Sequence, residues 1–352
     1  MCAPCAIPVH CGIDEDVLSA GEKEARTPCR ICRDAGPHRE WTVREMFLGT
    51  RDEFTYFECA KCGCLQIGTA PENLASYYPR EYYSPLRLSP VRRFKEVVRR
   101  PFRVRRFESL LRGKTGLASI FPETVIPEHL IATMRRFGIG RDSSVLDVGC
   151  GPGKLLRYLH SVGFRRLTGI DPFLAEDATL FGCVRLLRKA LEDVEGEFDL
   201  ILSTHSLEHM PNQDGAVAAI AGHLSPAGVA VVRIPTVSSH AWETYRADWV
   251  QLDAPRHLCL HSRASFRMLV ERHGLLLADL RDDSTEFQFL GSEQYRKNVP
   301  LNAPESFVAD RRSRLFMKNE LEAFRRRSDE LNHEGRGDQF SAVLAIRDRR
   351  RL

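Results

Sequence analysis

Val145-Leu146-Asp147-Val148-Gly149-Cys150-Gly151-Pro152-Gly153 decides the reading of this chain. A short apolar run ends in an acid and then breaks into a turn with glycine at every second position. Glycine reaches backbone angles closed to other residues and leaves no side chain in a ligand's way. A nucleotide-like ligand can therefore lie against the main chain at Gly149, Cys150, Gly151 and Gly153, at the start of a helix expected from near Lys154. The spacing departs from the dinucleotide fingerprint G-x-G-x-x-G, and no lysine stands where a phosphate-cradling loop needs one.

Outward from this turn the pattern alternates between apolar strands and helical stretches. A helix is expected over 127–138, a first strand over 144–148 and its helix over 153–163. Further strands are expected at 166–170, 182–187, 198–203 and 229–234, with a helix at 212–223 between the last two. Then come a helix at 262–274, a strand at 275–280, a long charged helix at 305–331 and a last strand at 340–346. Apolar strands separated by helices argue for an α/β fold, a parallel sheet doubly wound by helices on both faces. In such sheets ligands bind at the carboxyl ends of the strands. The second strand ends at Asp171, followed by Pro172, and an acid there can accept two hydrogen bonds from ribose hydroxyls.

The Asp-x-Gly-x-Gly-x-Gly pattern of residues 147–153 resembles the first motif of class I S-adenosylmethionine (SAM) methyltransferases. Phe198-Asp199-Leu200-Ile201, Leu207-Glu208-His209, Leu224-Ser225-Pro226-Ala227-Gly228 and Pro235 extend the resemblance over about 127–290 and the last strand. It implies a seven-stranded, Rossmann-like methyltransferase sheet with SAM as cofactor. It also implies that Ala190 and Leu191 border the adenine. Ser203 and Thr204 would stand where the methionine part meets the acceptor, and Asp147 near the amino acid end.

His205 and His209 are four residues apart at the end of the fourth strand, so one helical turn would put both on one side with Glu208. Methyl transfer to a hydroxyl needs positioning and a base, and histidine titrates near working pH. His209 is the candidate base and Glu208 its orienting partner. His257 lies in an aromatic-rich segment able to roof an acceptor pocket. A rival reading takes His205, Glu208, His209 and His257 as ligands of a divalent metal.

Eight of the eleven cysteines fall in the first 64 residues. Cys29-x-x-Cys32 and Cys59-x-x-Cys62, with 26 residues between the pairs, have the spacing of two knuckles around a tetrahedral structural Zn²⁺. Cys64 follows Gly63 as a spare ligand or a buried thiol, and Cys2, Cys5 and Cys11 fit no pattern. A zinc ribbon ahead of such a domain resembles bacterial sugar and natural-product methyltransferases. That resemblance implies a small domain covering the acceptor, with Tyr77 to Tyr83 over the mouth and Tyr82 or Tyr83 against the acceptor.

The expected organisation is a flexible tail over 1–26, a zinc-ribbon-like domain over 27–70, a linker over 71–126 and the methyltransferase domain over 127–352. Within the linker, residues 87–114 carry eleven Arg or Lys against Glu96 and Glu108, at near-helical apolar spacing, with Pro101 as an expected break. With 43% hydrophobic and 28% charged residues the chain reads as globular, and a formal charge of +4 does not call for nucleic acid. No apolar run approaches the ~20 residues of a membrane span, so a cytoplasmic location is expected. The resulting expectation is SAM-dependent methylation of a hydroxyl, or less favourably a carbon, of a small molecule or sugar. The alternatives are RNA methylation through the basic linker and a non-catalytic SAM-binding module.

Overall fold

A computed structural model describes residues 24–78, 90–113 and 126–347. Of the tail expected over 1–26, residues 1–23 lie outside these residues, as do Cys2, Cys5, Cys11, Tyr82 and Tyr83, while Glu24 and Ala25 pair with Arg39 and His38 and so belong to a sheet. The described chain opens with β1 (Glu24–Ala25), β2 (His38–Arg44), β3 (Glu53–Glu58), β4 (Leu65–Ile67) and helix α1 (Pro90–Leu111). It continues with α2 (Glu128–Arg136), β5 (Ser144–Val148), α3 (Lys154–Ser161), β6 (Arg166–Ile170), β7 (Ala178–Leu180), β8 (Val184–Leu187), β9 (Phe198–Thr204) and α4 (Gln213–His223). It closes with β10 (Leu224–Pro235), α5 (His240–Tyr245), β11 (Cys259–Leu260), α6 (Arg263–Arg272), β12 (Leu275–Asp282), α7 (Phe287–Arg296), α8 (Lys318–Glu334) and β13 (Gln339–Ile346).

The large sheet runs β12-β13-β10-β9-β5-β6-β8-β7. Its centre is parallel: β5 pairs with β6 and β9, and β9 with β10. Its edges are antiparallel, through β13 on one side and β7 on the other. Eight strands therefore stand where seven were expected. The added one, Ala178–Leu180, folds back on β8 in a hairpin and is too short for its alternation to show in sequence. Central strands are apolar along their whole length because both faces are covered. Val145, Leu200 and Val231 pack with Phe107, Leu130 and Leu156 on one side. Leu146, Ile201 and Val232 pack with Val217, Ile220 and Phe266 on the other.

Two further expectations fail on local grounds. Pro101 lies inside α1 and does not end it. The C-terminal half of that helix is anchored by Phe107 against Phe164, centroids 5.9 Å apart, and by the Glu108–Arg141 ion pair. These contacts offset the ~3 kcal/mol that an interior proline costs. The helix expected at 305–331 begins only at Lys318. Upstream, the Ser306 hydroxyl accepts from the amides of Val308 and Ala309, a local turn that competes with helix.

The strands beside the cysteine pairs form a second sheet, β1-β2-β3-β4-β11. Its last strand comes from far along the chain: Cys259 pairs with Gln66 and Leu260 with Leu65. One sheet thus joins the N-terminal unit to the segment that follows β10. Among the described residues no helix is long and apolar enough to cross a membrane.

Candidate functional site

β5 ends at Val148, and the chain then doubles back over the last residue of β6. The amides of Gly149 and Cys150 both donate to the Ile170 carbonyl, at 2.9 and 3.0 Å. Gly149 has φ +75°, and a Cβ built on it would lie 2.5 Å from Ser206 Cβ. Only glycine fits there, because Ser206 is itself fixed by its hydroxyl to the Val148 carbonyl (2.9 Å) and the Ser203 hydroxyl (2.8 Å). Gly153 caps α3 at φ +74°, with Leu186 2.9 Å from where its Cβ would stand.

A cavity of about 320 Å³ opens beside this turn, at the carboxyl ends of β5, β6 and β9. Gly149, Asp171, Pro172, Ala190, Leu191, His205 and His209 line it, as do Tyr78, Phe173 and Ser206. Cys150, Gly151 and Gly153 shape the turn without facing the cavity. Asp147 and Ser203 are buried, and neither they nor Thr204 line it. Ser203 spends its hydroxyl on Ser206.

Two acids stand at this end of the sheet. Asp171 accepts from the amides of Phe173 (2.9 Å) and Gly151 (3.1 Å). Burial nonetheless lifts its carboxyl above the usual range. Asp147 is pushed further, to about 7, by burial and then by the charge of Asp171. The site therefore holds carboxylates that a cationic, hydroxyl-bearing ligand would discharge. The turn, the apolar Ala190 and Leu191 and the acid pair could hold a ligand that carries an apolar ring, hydroxyl groups and a positive charge, as SAM does.

His205 follows β9 at φ +51°, a region that non-glycine residues rarely enter, with its amide tied to the Arg233 carbonyl at 2.9 Å. Arg233 Nη1 donates to His205 Nε2 (2.6 Å), so the proton sits on Nδ1, 3.3 Å from Glu208 Oε1. Burial opposes ionisation of Glu208. The His205 hydrogen bond, and the positive charge that His209, His205 and His257 carry when protonated at low pH, outweigh it and hold the carboxyl down at about 2. His209 Nδ1 lies 2.9 Å from the Arg256 carbonyl, which can only accept, so that nitrogen carries the proton and Nε2 the lone pair. The Tyr78 hydroxyl lies 3.2 Å from the same Nδ1 and its ring stacks on Phe173. His257 is fixed likewise, Nδ1 to the Gln251 carbonyl at 2.6 Å. Burial and the neighbouring His209 push its pKa down to about 4, so it is neutral.

The expected four-residue metal set comes together as three. Ligand atoms of Glu208, His209 and His257 lie within 4.8 Å of one another, and Glu208 Oε2 is buried without a partner. His205 bridges Arg233 Nη1 and Glu208 Oε1 and is not part of the set.

Cys29, Cys32, Cys59 and Cys62 converge, with Sγ separations of 3.6 Å for Cys29–Cys62 and 3.5 Å for Cys32–Cys59. A tetrahedral site with Zn–S of about 2.3 Å requires sulfurs close to that spacing. The Ile31 amide (3.4 Å) and Gln66 Nε2 (3.0 Å) donate to Cys29 Sγ, stabilising a thiolate. The donor set therefore fits zinc. Cys64 is not a fifth member: its sulfur is 3.1 Å from that of Cys259.

The knuckles connect directly to the histidines. The Ser262 hydroxyl donates to the Cys62 carbonyl (2.5 Å), Tyr56 Oη donates to the His257 carbonyl (2.8 Å), and the Leu258 amide donates to the Glu208 carbonyl (2.8 Å). Sequence reasoning gave no role to Arg233 or Ser206, and noted Arg256 only as a polar neighbour of His257. Arg233 had a signal, being the one charge within the apolar run of β10. Ser206 and Arg256 had none, since their roles come from contacts across the fold.

A family model described as a methyltransferase domain matches residues 125–279. The ubiquinone biosynthesis O-methyltransferase of Rickettsia typhi is 29% identical over 97 residues, 25% of this chain and 39% of that protein. The trans-aconitate 2-methyltransferase of Deinococcus radiodurans is 30% identical over 105 residues, 28% of this chain and 40% of that protein. The chain thus spans about two fifths of the length of the curated relatives it matches. Among solved structures, the cyclopropane synthase MmaA2 of Mycobacterium tuberculosis aligns over 62% of this chain and 84% of its own, at 15% identity and a TM-score of 0.40. The family match falls on the doubly wound sheet, and this part of the chain has the α/β fold of class I SAM-dependent methyltransferases.

Proposed function

We propose that this protein is a SAM-dependent methyltransferase acting on a hydroxyl of a small molecule. The observation that carries the proposal is the single cavity shared by the Gly149 turn, Asp171 and His209. SAM, when bound, supplies an activated methyl group on a sulfonium. The Gly149 turn would lie against the cofactor, Asp171 would accept from the ribose hydroxyls, and Ala190 and Leu191 would flank the base. Asp147 would favour the cationic end from beneath. His209, with Nδ1–H held by a carbonyl, keeps Nε2 free to take the acceptor proton as the bond to carbon forms. Glu208 stabilises the imidazolium that results. Incubation with methyl-labelled SAM and a panel of hydroxylated acceptors should transfer label, and His209→Ala should abolish transfer. Equal label transfer by the variant would refute the role of His209.

The cysteine cluster is proposed to hold one structural zinc ion. Its four thiolates close the coordination sphere, so the ion's part is to fold the knuckles and brace β11.

One observation favours a second reading of the histidine cluster. Glu208 Oε2 is buried without a hydrogen-bond partner, which a divalent ion shared with His209 and His257 would satisfy. Turnover that is lost on chelation and restored by Mg²⁺ or Mn²⁺, with the zinc content unchanged, would select that reading over a free base.

A further inference from the structure

We infer that Arg233 is a positioning residue for the proposed methyl transfer, locking His205 in the one tautomer that can hold the Glu208 carboxylate beside His209. This inference rests on the methyl-transfer reading of the site. Arg233 does not line the cavity that holds His209, so it acts through His205.

Arg233 grips His205 twice. In the parallel pairing of β10 with β9 it stands beside Thr204, so its carbonyl meets the first residue past the strand. The His205 amide donates to that carbonyl at 2.9 Å, and Arg233 Nη1 donates to His205 Nε2 at 2.6 Å. The first bond survives replacement of the arginine side chain and the second does not. A guanidinium only donates, so Nε2 carries the lone pair and Nδ1 carries the proton that faces Glu208 Oε1 at 3.3 Å. With the proton on Nε2 instead, the Nδ1 lone pair would face the carboxylate, and two acceptors would repel.

The guanidinium is itself aimed. Its Nε donates to Asp283 Oδ2 (2.7 Å) and its Nη2 to the Asp283 carbonyl (3.4 Å). The Ser341 hydroxyl of β13 donates to the same Oδ2 at 2.9 Å and fixes the carboxylate. A rigid planar fork serves Asp283 and His205 together, whereas the ammonium of a lysine is a single point on a flexible stem.

Glu208 depends on this chain. Its side chain is 1% exposed, and Oε2 has no hydrogen-bond partner. Among the described residues the bond to His205 is therefore the one that orients the carboxylate. One of its oxygens lies within 4.8 Å of ring nitrogens of His209 and His257. Losing the His205 bond would let the carboxylate turn away from the imidazolium that forms on His209.

The test uses the full chain, methyl-labelled SAM and the acceptor from the hydroxylated panel that takes up most label. Arg233→Met keeps most of the side chain's length and removes its donors. It should lower kcat about tenfold to hundredfold, the range lost when outer partners that orient site histidines are removed. The acceptor KM and the affinity for S-adenosylhomocysteine should stay unchanged. Arg233→Lys should recover part of the loss, whereas a mere packing role would make methionine at least as good as lysine. Nitrogen NMR of histidine-labelled protein at one fixed pH should show His205 Nε2 unprotonated in the parent and carrying a proton in Arg233→Met. Should Arg233→Met fail to fold, Arg233→Lys and Asp283→Asn carry the comparison, each with a smaller loss of kcat. Unchanged kcat, a loss confined to KM, or an Nε2 that stays unprotonated without the guanidinium would overturn the inference and leave methyl transfer standing. No label transfer by the parent protein to any acceptor would sink the methyl-transfer reading, and this inference with it.

Discussion

Gly149→Ala is the sharpest perturbation of the ligand-facing turn. Placing a Cβ at φ +75° costs ~1–2 kcal/mol for the left-handed backbone alone. The new methyl would also stand 2.5 Å from Ser206 Cβ, and overpacking of this kind costs typically ~1–3 kcal/mol. Together these predict a destabilisation of about 2–5 kcal/mol. Gly151→Ala is the internal control: φ is +48° and nothing lies within 4 Å of the added atom, so only the backbone part remains, ~1–2 kcal/mol. Ser206→Gly removes the obstructing atoms but also the hydroxyl bonds to Val148 and Ser203, at ~1–3 kcal/mol. The double variant Gly149→Ala/Ser206→Gly should therefore be more stable than the sum of the singles, with a coupling of ~1–3 kcal/mol. Equilibrium urea unfolding of the four proteins reads this directly. Calorimetry should show Gly149→Ala weakening S-adenosylhomocysteine about ten- to hundredfold, since each 1.4 kcal/mol of distortion the ligand must reverse is roughly tenfold in affinity. An additive double variant, or a Gly149→Ala no costlier than Gly151→Ala, would refute the claim that Ser206 fixes this turn.

Three more outcomes follow from the same geometry. Asp147 has a folded pKa of about 7 against 3.8 for an ordinary Asp, so its contribution to stability is present below about pH 4 and lost as pH rises through 7. Above that, burial of the charge costs about 4 kcal/mol, and Asp147→Asn should raise the melting temperature more at pH 8 than at pH 5; an equal or opposite change would contradict the burial argument. His209→Ala should lower kcat by ~10²–10⁴ while leaving affinity for S-adenosylhomocysteine within twofold, measured by label transfer and calorimetry; a loss confined to KM would point to binding instead. Cys32→Ser should cut the zinc content, one ion per chain by elemental analysis, and lower both the melting temperature and kcat, because the knuckles brace β11 beside His257; unchanged turnover in the zinc-free variant would separate the two.

The sheet was legible because buried parallel strands write themselves as near-continuous apolar runs, as at Leu200–Leu202 and at Val145–Val148 where Asp147 alone interrupts, and because glycine alone fits the turn that follows. What stayed hidden is long-range. Nothing local marks Cys259–Leu260 as the last strand of the cysteine-bearing sheet, since its pairing with Leu65 and Gln66 spans nearly 200 positions of sequence. Helical spacing at 305–317 misled because a single serine hydroxyl satisfies two amides there. Of the candidate site residues, Asp171 and His205 stand at strand ends, where a sequence can be searched for them, and both line the cavity. Ser206 and Arg256 have no motif, because the Ser206 hydroxyl donates to the Val148 carbonyl and the Arg256 carbonyl accepts from His209 Nδ1, pairings placed by the fold. Ser203 and Thr204 show the opposite failure: both stand at the end of β9, but neither lines the cavity, and the Ser203 hydroxyl is bound to Ser206.

Titration calorimetry of S-adenosylhomocysteine into the folded protein tests the central claim most directly. The account predicts one site per chain, weakened at least tenfold by Asp171→Ala, whose carboxylate faces the same cavity as Gly149. No binding to a well-folded sample, or binding indifferent to Asp171, would contradict it.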